Sequence, residues 1–132
     1  PPVPCVLPAG TSLKSIASDP STFSNGSSLR LKVALELPAR KVCAFRLLIR
    51  HVGSASGAVS SAEIASRDGG RPLTLAVTNY KFDTRYRCLS LVVVSATNSS
   101  AQHVLADRVC ATQATGQPDR WRLGVGAGGG GA

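Results

Sequence analysis

Leu29-Arg30-Leu31-Lys32-Val33-Ala34-Leu35-Glu36-Leu37 decides the fold. Four leucines and a valine occupy the odd positions, with arginine, lysine, alanine and glutamate between them. Successive side chains on an extended strand point to opposite faces, so this stretch carries one apolar and one mainly polar face. A helix would scatter the same residues around its axis. The pattern calls for a strand in a sheet with one buried side.

Outward from this strand the pattern repeats. Pro38-Ala39-Arg40-Lys41 is a short connection. Residues 43–52 follow as a strand, with Phe45, Leu47 and Ile49 inward and Arg46, Leu48 and Arg50 outward. Residues 58–66 hold a short edge strand, and residues 73–77 another strand with Leu73, Leu75 and Val77 on one face. Residues 85–97 are apolar on both faces, and residues 103–111 return as the last strand. Before the central strand, residues 13–17 form a first one. Asp19-Pro20, Asn25-Gly26 and Arg67-Asp68-Gly69-Gly70 mark turns between them. About seven strands in about 100 residues predict an all-β, seven-stranded antiparallel β-sandwich. The composition shifts at Gly116, and residues 124–132 contain six glycines and no charge. Residues 116–132 are therefore expected to be a flexible tail or linker, residues 8–115 the module, and residues 1–7 its lead-in.

Three stretches resemble a fibronectin type III domain. Leu29 through Leu37 with Pro38 is similar to that family's second strand, and Ala44-Phe45-Arg46-Leu47-Leu48-Ile49-Arg50 to its third. The most specific is Leu73-Thr74-Leu75-Ala76-Val77-Thr78-Asn79-Tyr80-Lys81-Phe82-Asp83-Thr84-Arg85-Tyr86, which resembles the fifth strand, the following turn and the tyrosine that opens the sixth. The resemblance covers residues 8–115. It implies that the Tyr86 ring fills the core edge while its hydroxyl bonds a nearby backbone group. Leu35 stands where the family usually has a tryptophan. An immunoglobulin domain expects a cysteine in the second strand and a tryptophan in the third, where this chain has Leu35 and Phe45.

Four cysteines without a C-x-x-C pair suggest two disulfides and an oxidising compartment. The resemblance implies that Cys5 and Cys43 lie at one end of the sandwich and Cys88 and Cys110 at the other. The pairing expected is Cys5–Cys43 and Cys88–Cys110. Cys5 with Cys88 and Cys43 with Cys110, or Cys5 with Cys110 and Cys43 with Cys88, stay open. Cys88 and Cys110 are equally far from Ser99 in sequence, yet simple alternation from Cys110 would turn Arg108 inward, so a bulge is expected. Two N-glycosylation sequons, at Asn25 and Asn98, agree with an extracellular setting, secreted or as an ectodomain.

The 132 residues lack methionine, which reads as a processed or excised segment. No apolar run reaches the ~18 residues of a membrane helix, so any anchor is expected outside this segment. Fifteen Lys and Arg against seven Asp and Glu give a net charge of +8, which attracts polyanions. The basic residues are spread rather than run together. Few aromatics and an oxidising compartment argue against nucleic acid.

Catalytic patterns are missing from the sequence. His51 and His103 have no carboxylate close in sequence, and G-x-S-x-G does not occur. The glycines of residues 126–131 lack the lysine and helix that frame a phosphate loop. The expectation is a binding module without enzyme activity, cofactor or metal. Its contact face is expected on the outer side of the third and sixth strands, where Arg46, Leu48 and Arg50 would meet Arg85, Arg87, Leu89, Leu91 and Val93. Such a face suits a protein partner with acidic character. The alternative is a sulfated glycan bound by the basic surface. Trp121, held between Arg120 and Arg122, is free to stack back on the sheet.

Overall fold

The alternation in the central stretch sets the first sheet. In the computed structural model, which describes residues 5–6, 10–53, 59–98 and 100–123, strand β2 (Ser28–Glu36) buries Leu29, Leu31, Val33 and Leu35 and exposes Arg30, Lys32 and Glu36. It lies between β1 (Ser12–Asp19) and β7 (Pro72–Lys81), antiparallel to both. A second antiparallel sheet has the order β10-β9-β8-β4-β5, formed by β4 (Phe45–His51), β5 (Val59–Ser60), β8 (Cys88–Ser95), β9 (Gln102–Ala114) and β10 (Gln117–Leu123). Two short strands, β3 (Lys41–Val42) and β6 (Arg67–Asp68), pair with each other at one end. The inward side chains of the two larger sheets share a single apolar cluster, the arrangement of a β-sandwich.

Ten strands therefore stand among the described residues, where seven are expected. The seven have counterparts in β1, β2, β4, β5, β7, β8 and β9. The small β3–β6 ladder and β10 are additions.

Strand β10 corrects the expected boundary of the tail. Residues 117–123 are a strand because Trp121 is an anchor with 8% exposure. Its ring lies 5.7 Å from Phe82, which in turn meets Phe23 edge-on at 4.7 Å. Its backbone exchanges two hydrogen bonds with Phe23, at 2.9 and 2.7 Å. The Arg87 guanidinium sits 5.4 Å over the indole. Burying one tryptophan is enough to hold a short segment that its neighbours in sequence would leave loose. Residues 124–132 lie outside the described residues.

Strand β7 shows how a local irregularity chooses a core residue. Leu75 and Val77 point inward, and strict alternation would continue with Asn79. Asn79 instead takes a left-handed φ of 64°, and the register with β2 slips there, Leu31 opposing Val77 but Leu29 opposing Tyr80. Asparagine tolerates this conformation better than most residues. The bulge turns Tyr80 inward, to 2% exposure. Tyr86, the residue expected at the corner, closes this stretch. A 3₁₀ turn over Thr84–Tyr86 leaves it half-buried, its ring stacked on His51 at 6.0 Å.

Both disulfides pair as expected, Cys5 with Cys43 and Cys88 with Cys110. The second depends on bulges. Near the hairpin turn Val94 opposes Gln102 and Val92 opposes Val104. Unbroken, that register would set Cys88 against Arg108. Two shifts, between Leu89 and Leu91 and between Leu91 and Val92, bring Cys110 opposite Cys88 and leave Arg108 exposed.

Leu35 is fully buried at the middle of this core, whereas Lys32 on the same strand faces water. Replacing Leu35 with alanine should cost about 2–5 kcal/mol in denaturant unfolding, and Lys32→Ala less than about 0.5 kcal/mol.

Candidate functional site

The expected contact face is only half assembled. Antiparallel pairing of β4 with β8 sets Arg46 opposite Val94, Leu48 opposite Val92 and Arg50 opposite Ser90. Residues directly opposite share a face, so the even positions of β8 join Arg46, Leu48 and Arg50 on the outside. Leu89, Leu91 and Val93 oppose His51, Ile49 and Leu47 instead, and all three are fully buried in the core. Their assignment to the outer face is thereby overturned. The alternation of Arg85 and Arg87 does not carry into β8, because the 3₁₀ turn intervenes and the strand starts only at Cys88.

Outside the core, one row crosses three strands. Leu48 on β4, Val92 on β8 and Val104 on β9 are aligned by the register of both ladders. Val104 is 49% exposed, the one large apolar side chain so exposed among the described residues. Val92 and Val94 keep little exposure, at 6% and 8%, yet neither belongs to the interior cluster. Arg46 and Arg50 flank the row on β4, and Ser90 and the Cys88–Cys110 bridge continue the face toward one end. Arg46 reaches Glu63 at 3.8 Å with both side chains about half exposed, an ion pair of small energetic weight.

Arg85 and Arg87 are brought to the end of this sheet rather than onto the row. Arg85 bonds the Asp83 carboxylate at 2.9 Å and lies 5.7 Å over the Tyr86 ring. Asp83 also caps the 3₁₀ turn by accepting from the Arg85 backbone amide at 2.9 Å. Hydrogen bonds from the Arg85 side chain, then from its amide, hold the Asp83 carboxyl below the usual range. A cleft of about 370 Å³ opens beside them, lined among others by Asn25, His51, Lys81 and Thr84.

Both sequon asparagines are exposed. Asn25 accepts hydrogen bonds from the Thr84 amide at 2.9 Å and its hydroxyl at 3.2 Å. Asn98 sits in the β8–β9 turn and accepts from the Ser100 hydroxyl at 2.6 Å and amide at 3.2 Å. His103 tethers the two sheets, its Nε2 lying 3.0 Å from the Thr11 carbonyl oxygen. His51 packs between Tyr80 and Tyr86. No group of three or more His, Cys, Asp or Glu among the described residues is placed to hold a metal ion. The chain matches no family model, no curated protein and no solved structure.

The correct face had a signal in the sequence. Ser90 is the polar residue between Leu89 and Leu91, and it marks the even positions as outward. The run from Leu91 to Val94 is apolar throughout and hides that parity.

Leu91→Asp should accordingly strand a carboxylate in the core and cost several kcal/mol in thermal or denaturant unfolding. Burial, and secondarily the nearby Asp83 carboxylate, pushes the Tyr80 hydroxyl from 10.0 up to about 12. Because the folded-state value is raised, this group leaves stability unchanged below pH 10 and lowers it as pH rises from 10 toward 12, where the unfolded chain ionises first. Tyr80→Phe should flatten the alkaline loss of stability, read as unfolding free energy against pH.

Proposed function

We propose that the chain is a fibronectin type III-like module of a secreted or cell-surface protein, and that it acts by binding another protein. Several features support the fold assignment. With the short β3 and β6 and the added β10 set aside, the first, second and fifth strands form one sheet and the seventh, sixth, third and fourth the other. Immunoglobulin-like sandwiches divide their strands this way, but the constant immunoglobulin type pairs its fourth strand with the fifth. Here the fourth, β5, pairs with the third, β4.

Two disulfides in a chain of 132 residues support an oxidising, extracellular setting. Exposed Asn25 and Asn98 are open to N-glycosylation there. Among the described residues no helix is long and apolar enough to cross a membrane.

The observation that carries the binding role is the row Leu48, Val92 and Val104 on the outer face, flanked by Arg46 and Arg50. Val104 is 49% exposed and Leu48 half-buried, with the nearly covered Val92 between them, whereas a face turned to water is normally polar. An apolar centre bordered by guanidinium groups suits a protein surface with an apolar spot edged by carboxylates. Arg50 makes no ion pair among the described residues and is the cation best placed to meet such a carboxylate.

Val104→Asp places a charge at the exposed end of the row. It should abolish binding of the purified domain to cells bearing its partner, or its self-association in sedimentation, while the melting temperature moves by no more than a few degrees. Unchanged binding by a folded Val104→Asp protein would move the contact off this face.

A further inference from the structure

Four of the fifteen Lys and Arg, spread over 32 positions of sequence, come close at one end of the molecule. Arg40 and Lys41 precede β4, and Arg67 and Arg71 precede β7. The β3–β6 ladder brings their backbones together, with Lys41 opposite Asp68 and Val42 opposite Arg67. The Gly69 amide donates to the Arg40 carbonyl at 2.9 Å, and the Gly70 amide to the Pro38 carbonyl at 2.8 Å. A side chain at Gly69 would run into the Pro38 and Arg40 carbonyl oxygens, so glycine is what lets the two loops close. Beside the ladder lies a cleft of about 300 Å³, lined by Arg67, Asp68 and Arg71 over Leu37, Pro72 and Leu73.

We infer that this end of the sandwich is a binding site for a sulfated glycan, with Arg40, Lys41, Arg67 and Arg71 as its sulfate contacts. Arg67 and Arg71 line the cleft with Asp68, Arg40 and Lys41 follow on the paired loop, and Glu36, opposite Pro72, is the second carboxylate at this end. Neither ion pair found among the described residues, Arg46–Glu63 or Arg85–Asp83, involves any of the four. All four side chains are exposed, so engaging an anion requires little desolvation. Guanidinium groups pair with the oxygens of sulfate in a bidentate fork, and the apolar floor of Leu37, Pro72 and Leu73 fits the C–H face of a sugar ring.

The backbone beneath the cations is fixed before any ligand arrives. Lys41 is held on one side by β6 and on the other by Val6, whose amide donates to the Lys41 carbonyl at 2.8 Å. The Cys5–Cys43 bridge closes the same corner. A site arranged in advance loses less entropy on binding. Nucleic acid is the less fitting polyanion, since no aromatic side chain lines the cleft to stack a base.

This site is separate from the outer face of the larger sheet, and either proposal stands if the other fails. The test is retention of the full chain on immobilised heparin in a salt gradient, with affinity measured for soluble heparin. Arg67→Ser with Arg71→Ser, and separately Arg40→Ser with Lys41→Ser, should each weaken binding about tenfold or more and lower the slope of log affinity against log salt by about one to two. Arg46→Ser with Arg50→Ser should leave both unchanged. Desulfated heparin should not bind. Equal weakening by the Arg46 and Arg50 pair, or equal competition by DNA of matched charge, would overturn the site in favour of undirected attraction by the net charge. Absence of heparin binding at physiological salt would overturn it outright.

Discussion

One apolar layer between two antiparallel sheets governs everything else in this molecule. On one side it is made by Leu29, Leu31, Val33 and Leu35 of β2, and on the other by Phe45, Leu47 and Ile49 of β4 with Leu89, Leu91 and Val93 of β8. Each side chain is committed to that layer by the alternation of its strand, so a one-residue slip would turn a whole row into water. Because the layer is closed, β8 must present its even positions outward, and the outer face is composed by exclusion. The outer row of Leu48, Val92 and Val104 is what remains after the core has taken its residues.

Irregularities refine what the layer starts. The bulge at Asn79 admits Tyr80 to the core, and the two register shifts between β8 and β9 align Cys88 with Cys110. Trp121 extends the larger sheet by one strand, using Phe23, Phe82 and the Arg87 side chain as its seat. These are small departures from ideal pairing, but each decides the position of a large or covalently bound side chain.

The two disulfides brace opposite tasks. Cys88–Cys110 ties neighbouring strands beside the outer apolar row. Cys5–Cys43 fastens the corner on which the basic cluster stands. Closing loops of 38 and 22 residues, each constrains the unfolded chain by roughly 3–4 kcal/mol in the chain-entropy account. The charged end is thus rigid without depending on ion pairs of its own.

By itself the sequence determined the all-β class and the inward residues of β2 and β4, which follow from the period of two, a local property of the chain. The cysteine pairing was implied by the resemblance, with two alternatives open until the structure paired Cys5 with Cys43 and Cys88 with Cys110. Tertiary structure decided three things. It settled which face of β8 is buried, since Ser90 alone hints at the parity while the four consecutive apolar residues from Leu91 to Val94 satisfy either, and the register with β4 fixes it. It made a strand of residues 117–123, since the partners of Trp121 lie far away in sequence, at Phe23 and Phe82. And it gathered Arg40, Lys41, Arg67 and Arg71 at one end, because distance along a chain says nothing about distance across a ladder until non-local hydrogen bonds have closed it.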